Sequence, residues 1–137
     1  MDTPKPNGLR TWAQAIFVWT FLALWLSAMT AGLAGGACQS DDRQASAKLR
    51  YCTISLTAGA WMRLVPSERA KSADLRLESG IALAELGRED EALAAFQTAL
   101  RDARLREGPS EQRLHQRMAQ VQDPGTRALW VMAQKAA

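Results

Sequence analysis

Residues 72–106, SADLRLESGIALAELGREDEALAAFQTALRDARLR, constrain the fold of this chain more than any other stretch. Apolar residues recur there at helical spacing on both sides of Leu86-Gly87-Arg88, so the segment reads as two helices joined by a tight turn. In the second helix Glu89, Asp90 and Glu91 fill the first turn, where the helix dipole favours negative charge. Arg101, Arg104 and Arg106 fill its end, where positive charge is favoured. Leu93, Phe96 and Leu100 make its apolar stripe, and Ala92 and Ala99 flank Phe96, leaving room for a ring between two backbones. Gly87 stands where a left-handed residue would end the first helix. That first helix, roughly 72–86, carries Leu75, Leu77, Gly80, Ile81, Leu83 and Leu86. A glycine inside a helix costs about 1 kcal/mol against alanine, so Gly80 implies a closely approaching neighbour. The expectation is an all-α domain whose hairpin packs on further helices.

These residues resemble the tetratricopeptide repeat, a helix–turn–helix unit of about 34 residues. The matching positions are Gly80 and Leu83 in the first helix and Ala92, Phe96 and Ala99 in the second, with LGREDEALAAF the most specific part. Arg76 and Ser79 depart from the pattern, which prefers large apolar residues there, and so does Arg104, where it prefers proline. Upstream, Leu49-x-x-Cys52-Thr53-Ile54-Ser55-Leu56 echoes Leu93-x-x-Phe96-Gln97-Thr98-Ala99-Leu100. It looks like the second helix of a preceding, degenerate repeat, with Cys52 in the place of Phe96. A cysteine soon after an export segment, a Cys-Thr helix and then a full repeat make residues 38–103 similar to small exported bacterial proteins of this family.

The resemblance implies about one and a half repeats closed by C-terminal capping helices, and a non-enzymatic protein-interaction role. It also implies a partner groove along the first helix at Asp74, Leu77, Ile81, Ala84 and Glu85. Leu77, Ile81 and Ala84 are apolar and step i, i+4, i+7, so a hydrophobic helix or peptide suits that groove better than a charged tail. The chain's own C-terminal helix, through Leu129 or Trp130, is the first expected occupant and an external helix the second.

No charged residue occurs between Thr11 and Ser40. From Trp12 to Ala34 the chain is mostly apolar, and as a helix it covers roughly 35 Å, enough for a hydrocarbon core of about 30 Å. Lys5 and Arg10 precede it and Asp41 and Asp42 follow, which places the N-terminus inside and the remainder outside. Two fates fit residues 1–37. The length suits an uncleaved anchor, whereas the small-residue tail ending Gly35-Gly36-Ala37 suits signal cleavage before Cys38. Lipidation of Cys38 is a third option, opposed by Gly35 where a lipobox wants an apolar side chain. Ala28, Gly32 and Gly36 form a small-residue series that reads equally as a helix-packing face or a signal-peptide end.

Both cysteines follow this segment. In an oxidising compartment Cys38 and Cys52 are expected to form one disulfide, the alternative being two free thiols. Residues 41–56 read as a helix capped by Asp41 or Asp42, with Ala45, Leu49, Cys52 and Leu56 on one stripe. Residues 59–66 are an insertion expected to tuck Trp61, Met62, Leu64 and Val65 under the hairpin, and Pro66-Ser67 marks the next helix start. After the break at Gly108-Pro109, Ser110 is expected to cap a helix over 111–121 bearing Leu114, Met118 and Val121. Asp123-Pro124-Gly125 is a turn signal, and Thr126 is expected to cap a last helix with Leu129, Trp130, Met132 and Ala133.

Composition narrows function by exclusion. The net charge of +3 is spread along helices where arginines alternate with acids, and the chain has one tyrosine, so no basic face or stacking ladder for nucleic acid is evident. Two cysteines without a nearby histidine make a poor metal site, and their spacing is not that of a redox pair. No paired acid–base set or glycine loop suggests catalysis, and no cofactor is expected. His115, the single histidine, reads as a helix-surface residue. The function expected is an exported interaction module behind a signal or transmembrane helix, in domains 1–37 and 38–137, located in the periplasm or held at the inner membrane. The alternative is a small single-pass accessory subunit of an inner-membrane complex, docked through the segment from Trp12 to Ala34.

Overall fold

The computed structural model describes residues 8–105 and 109–137, and helix is the only regular structure among them. Lys5, Arg106 and Gly108, which entered the sequence reading, lie outside the described residues. Six α-helices follow in order: α1 (Gly8–Cys38), α2 (Ala45–Ala58), α3 (Pro66–Glu85), α4 (Glu89–Ala103), α5 (Ser110–Gln120) and α6 (Pro124–Ala136). A 3₁₀ turn, Met62–Leu64, separates α2 from α3.

Helices α3 and α4 form the expected antiparallel pair. The turn between them closes through two backbone bonds, Arg88 N–H to Leu83 C=O at 2.9 Å and Gly87 N–H to Ala84 C=O at 2.9 Å. This is the Schellman arrangement, and it requires the left-handed φ of 73° that Gly87 adopts. Arg88 adds a two-pronged pair to Glu91 across the first turn of α4. Lower in the pair, Phe96 lies with its ring against Gly80 and is fully buried. Arg76 Nε sits 2.7 Å from Asp102 Oδ2, near enough for an ion pair although outside hydrogen-bond alignment. Arg76, a departure from the repeat pattern, thus links α3 to α4 by charge.

The core runs through all four C-terminal helices. Leu77, Ile81 and Leu83 of α3 join Phe96, Ala99 and Leu100 of α4, Leu114 and Met118 of α5, and Leu129, Trp130 and Ala133 of α6. Trp130 meets Phe96 edge to face at 5.7 Å between ring centres, a favoured aromatic geometry. Met132, grouped with these residues on sequence, is exposed because it points away from the face that carries Leu129, Trp130 and Ala133.

Several local expectations are corrected. Helix α3 starts at Pro66, where Pro66-Ser67 marks a helix start and proline suits the first helical position, so the stretch read as a helix from about residue 72 is the later part of a longer one. Helix α2 starts at Ala45 with Gln44 as a cap residue that makes no side-chain cap bond. Asp41 is drawn away to Lys48 and Arg117 instead. The buried face of α2 is Lys48, Cys52 and Ser55, while Leu49 and Leu56 are only half-buried and Ile54 is exposed. Ser110 lies inside α5 and does not cap it; Pro109 holds the cap position. Asp123 caps α6, accepting from Thr126 N–H at 2.6 Å and Thr126 O–H at 2.7 Å, so Thr126 is the donor of that motif. The insertion after α2 does not tuck under the hairpin: Trp61, Leu64 and Val65 are exposed and only Met62 is half-buried.

Candidate functional site

The groove positions occupy one face of α3, and the structure shows where each goes. Leu77 and Ile81 are buried in the common core with residues of α5 and α6, and Ala84 is half-buried against it. Asp74 is half-buried and Glu85 is exposed. The apolar part of the groove is therefore lined and filled from within the chain. Leaving such side chains in water would forfeit roughly 1.5–3 kcal/mol each, which gives α5 and α6 a reason to fold back over α3.

The polar end of the same face holds a charge cluster that sequence reading did not anticipate. Glu78 is buried and accepts from Lys48 Nζ at 2.6 Å and from Arg117 Nε at 2.5 Å. Asp41 pairs with the same arginine and lies 3.6 Å from Lys48. Two carboxylates thus face two cations, and the cluster joins the loop before α2 to α2, α3 and α5. The hydrogen bond to Glu78 raises the pKa of Arg117, against the opposing effect of burial. One turn earlier, Asp74 stands 3.4 Å from Arg113. Burial pushes the Asp74 carboxyl above its ordinary value, and Arg113 pulls it back. A cavity of about 340 Å³ lies here, bordered by Gln39, Asp74, Arg113 and Gln120 as well as by Asp41, Glu78 and Arg117 of the cluster. Every cluster charge has an opposite partner, so the arrangement clamps four segments together. A signal existed in the sequence: Lys48, Cys52, Ser55 and Gly59 step i, i+4, i+7, i+11, and Lys48 on that line demands a buried anion.

Cys38 and Cys52 are bonded to each other, and both residues are fully buried. Among the described residues no cysteine is free and no group of three or more His, Cys, Asp or Glu is placed to hold a metal. His115 is exposed on α5, with Nδ1 3.2 Å from Gln134 Nε2 and its ring edge-to-face with Trp130. It ties α5 to α6.

The junction of α1 with the domain is the third feature. From Thr11 to Leu26, α1 is exposed on every side; from Ser27 onward one face is covered. Ser27 Oγ donates to Ala58 C=O at 2.5 Å, and Ser55 Oγ donates to Ala31 C=O at 2.8 Å. Ala31, Ala34 and Cys38 are buried, and a methyl group on Gly35 would come within 3.2 Å of Ser55 Oγ. Gly32 and Gly36 of the small-residue series face open space. The packing face of α1 is thus Ser27, Ala31, Ala34, Gly35 and Cys38, small residues that let α2 approach closely. Helix α1 is the one described helix long and apolar enough to cross a membrane, over Thr11–Cys38, and a disulfide fits an extracytoplasmic location. Comparison of this chain with protein-family models, with curated proteins and with solved structures finds no match.

Proposed function

We propose that this chain is a non-enzymatic, membrane-tethered helical scaffold of tetratricopeptide-like build, a small single-pass subunit whose folded part lies outside the inner membrane. The observation that carries this reading is the docking of residues 27–38 onto α2. Cleavage before Cys38 would remove the acceptor of Ser55 O–H and the donor to Ala58 C=O, and uncover the face that holds Cys52. Losing α1 would return the α2 face that carries Ser55 and Gly59 to water and forfeit the burial of the surface between α1 and α2, so the fold has a stake in keeping α1. The tetratricopeptide likeness is supported by the Gly87 turn and by the Phe96 ring seated on Gly80. Because the chain's own helices fill the α3 groove, the partner is met elsewhere: by the exposed length of α1, with its Trp12, Trp19 and Trp25, or by the outer surface of the domain. The test is the intact mass of the chain from membrane and soluble fractions without reduction. The expected result is the full-length chain with one disulfide, in the membrane fraction. A soluble chain starting at Ala37 or Cys38, or a lipidated Cys38, defeats this reading and restores the secreted interaction module.

A further inference from the structure

We infer that the turn between α2 and α3, residues 59–65, is a second membrane contact that lays the folded domain on the outer face of the bilayer. The inference rests on the reading that α1 is kept as an anchor, and then follows from length. Between the charge of Arg10 and Ser27, where the domain first covers the helix, the apolar stretch of α1 from Thr11 to Leu26 is about 16 residues, or roughly 24 Å. A hydrocarbon core of about 30 Å needs about 20 residues, and more if the helix tilts. The next residues of α1 must therefore enter the hydrocarbon too, and they are the ones already docked on the domain. Ser27 bonds to Ala58 C=O, and Trp61 Nε1 donates to Ser27 Oγ at 3.3 Å. Whatever depth Ser27 reaches, Trp61 reaches as well.

The path of the chain points the same end downward. Cys52, Ser55 and Ala58 of α2 meet Cys38, Ala31 and Ser27 of α1 in that order. Helix α2 thus descends toward the exposed part of α1, and α3 climbs away again. The turn between them is the membrane-facing end, and its side chains suit it. Leu64 is 79% exposed, Val65 52% and Trp61 42%, costly in water but at home at an interface where tryptophan is also favoured. Just behind them Arg63, Arg69 and Lys71 stand against one carboxylate, Glu68, which pairs with Lys71. Basic residues at that height meet lipid phosphates. A cavity of about 210 Å³ continues the apolar surface between turn and anchor, lined by Ala28, Ala31 and Gly32 and by Met62, Lys71 and Leu75. The occupant proposed is an anionic phospholipid bilayer.

The full-length chain, with its disulfide intact, is reconstituted in vesicles of phosphatidylcholine and phosphatidylglycerol, carrying a diazirine side chain at one position at a time. The positions are Leu64, Leu22 in the middle of α1, and Glu89 at the far end of the domain; Leu64 and Glu89 are exposed, and circular dichroism checks each variant for native helix content. The expected result is lipid adduct at Leu64 of the same order as at Leu22 and several-fold above Glu89, with the Leu64 yield reduced in Arg69→Gln/Lys71→Gln. Adduct at Leu22 with only background at Leu64 overturns the inference and leaves the anchor standing. Background at Leu22 as well removes the anchor, and the inference with it. In native membranes, adduct at Leu64 to a polypeptide instead of lipid overturns it in favour of a protein partner.

Discussion

A methyl group built on Gly80 would stand 2.5 Å from Cε1 of Phe96. The ring occupies the space that any other residue's side chain would take, and this contact sets the distance between α3 and α4. Gly80→Ala removes the intrinsic penalty of a helical glycine, about 1 kcal/mol, yet forces a fully packed ring to move. Overpacking costs about 1–3 kcal/mol and wins here, because Phe96 is fully buried and already meets Trp130 edge to face. The variant is therefore expected to unfold at lower denaturant. Phe96→Ala is expected to cost about 3–5 kcal/mol through the cavity it leaves. A loss below about 1 kcal/mol would contradict its core placement.

Glu78 and Lys48 are both buried, with side chains 6% exposed. Removing one partner of a buried pair leaves the other charge uncompensated, at about 3–5 kcal/mol. Glu78→Gln should therefore destabilise the domain by several kcal/mol in equilibrium unfolding. Asp41→Asn should cost far less, because that carboxylate is mostly in water and Glu78 still serves both cations. Equal losses for the two variants would show that the cluster is not held by its buried member.

The bridge between Cys38 and Cys52 closes a separation of 14 residues, and loops of that size contribute about 3 kcal/mol through the unfolded state. Cys38→Ser/Cys52→Ser should lower the thermal midpoint accordingly. Both cysteines are fully covered, so a reductant is expected to act only as the chain opens. The wild-type melt in reductant should shift down, while native-temperature thiol labelling should stay near zero. Rapid reduction of the folded chain would place the bridge at the surface.

Asp123 and Asp74 should respond oppositely to acid. The N–H and O–H of Thr126 bond to Asp123 and hold its pKa below the ordinary carboxylate value. Its stabilising contribution is present above the unfolded value of about 3.9 and is lost as pH falls through the folded one. Burial raises the Asp74 pKa; that residue disfavours the fold as pH rises through its folded value and is relieved by acid. A carboxyl titration followed by NMR should find Asp123 below, and Asp74 above, their shared reference. The start of α6 should fray as Asp123 protonates.

The α3–α4 hairpin was legible because its signals are local. A glycine at a forced φ, acids at a helix start and an apolar period of 3.6 act within a few residues of where they are written. The α1 segment was legible for the same reason, since hydropathy and length need no partner. The disulfide between Cys38 and Cys52 is the expectation for a cysteine pair in an export context, though only the docking of α1 on α2 brings the sulfurs together. The stripe on α2 was read one step off: Leu49 and Leu56 outrank Lys48 and Ser55 in hydropathy, yet Lys48 faces inward because Glu78 meets it there.

Sequence alone determined that this chain forms helices, where the central turn falls and that one segment suits a bilayer, since each depends on neighbours along the chain. Tertiary structure alone decided that α5 and α6 occupy the α3 face, that Lys48, Glu78, Asp41 and Arg117 converge, and that the end of α1 belongs to the folded domain. Those outcomes join residues up to 76 positions apart. Such pairings arise only when backbones pack closely enough for a buried charge or a small-residue face to find its complement.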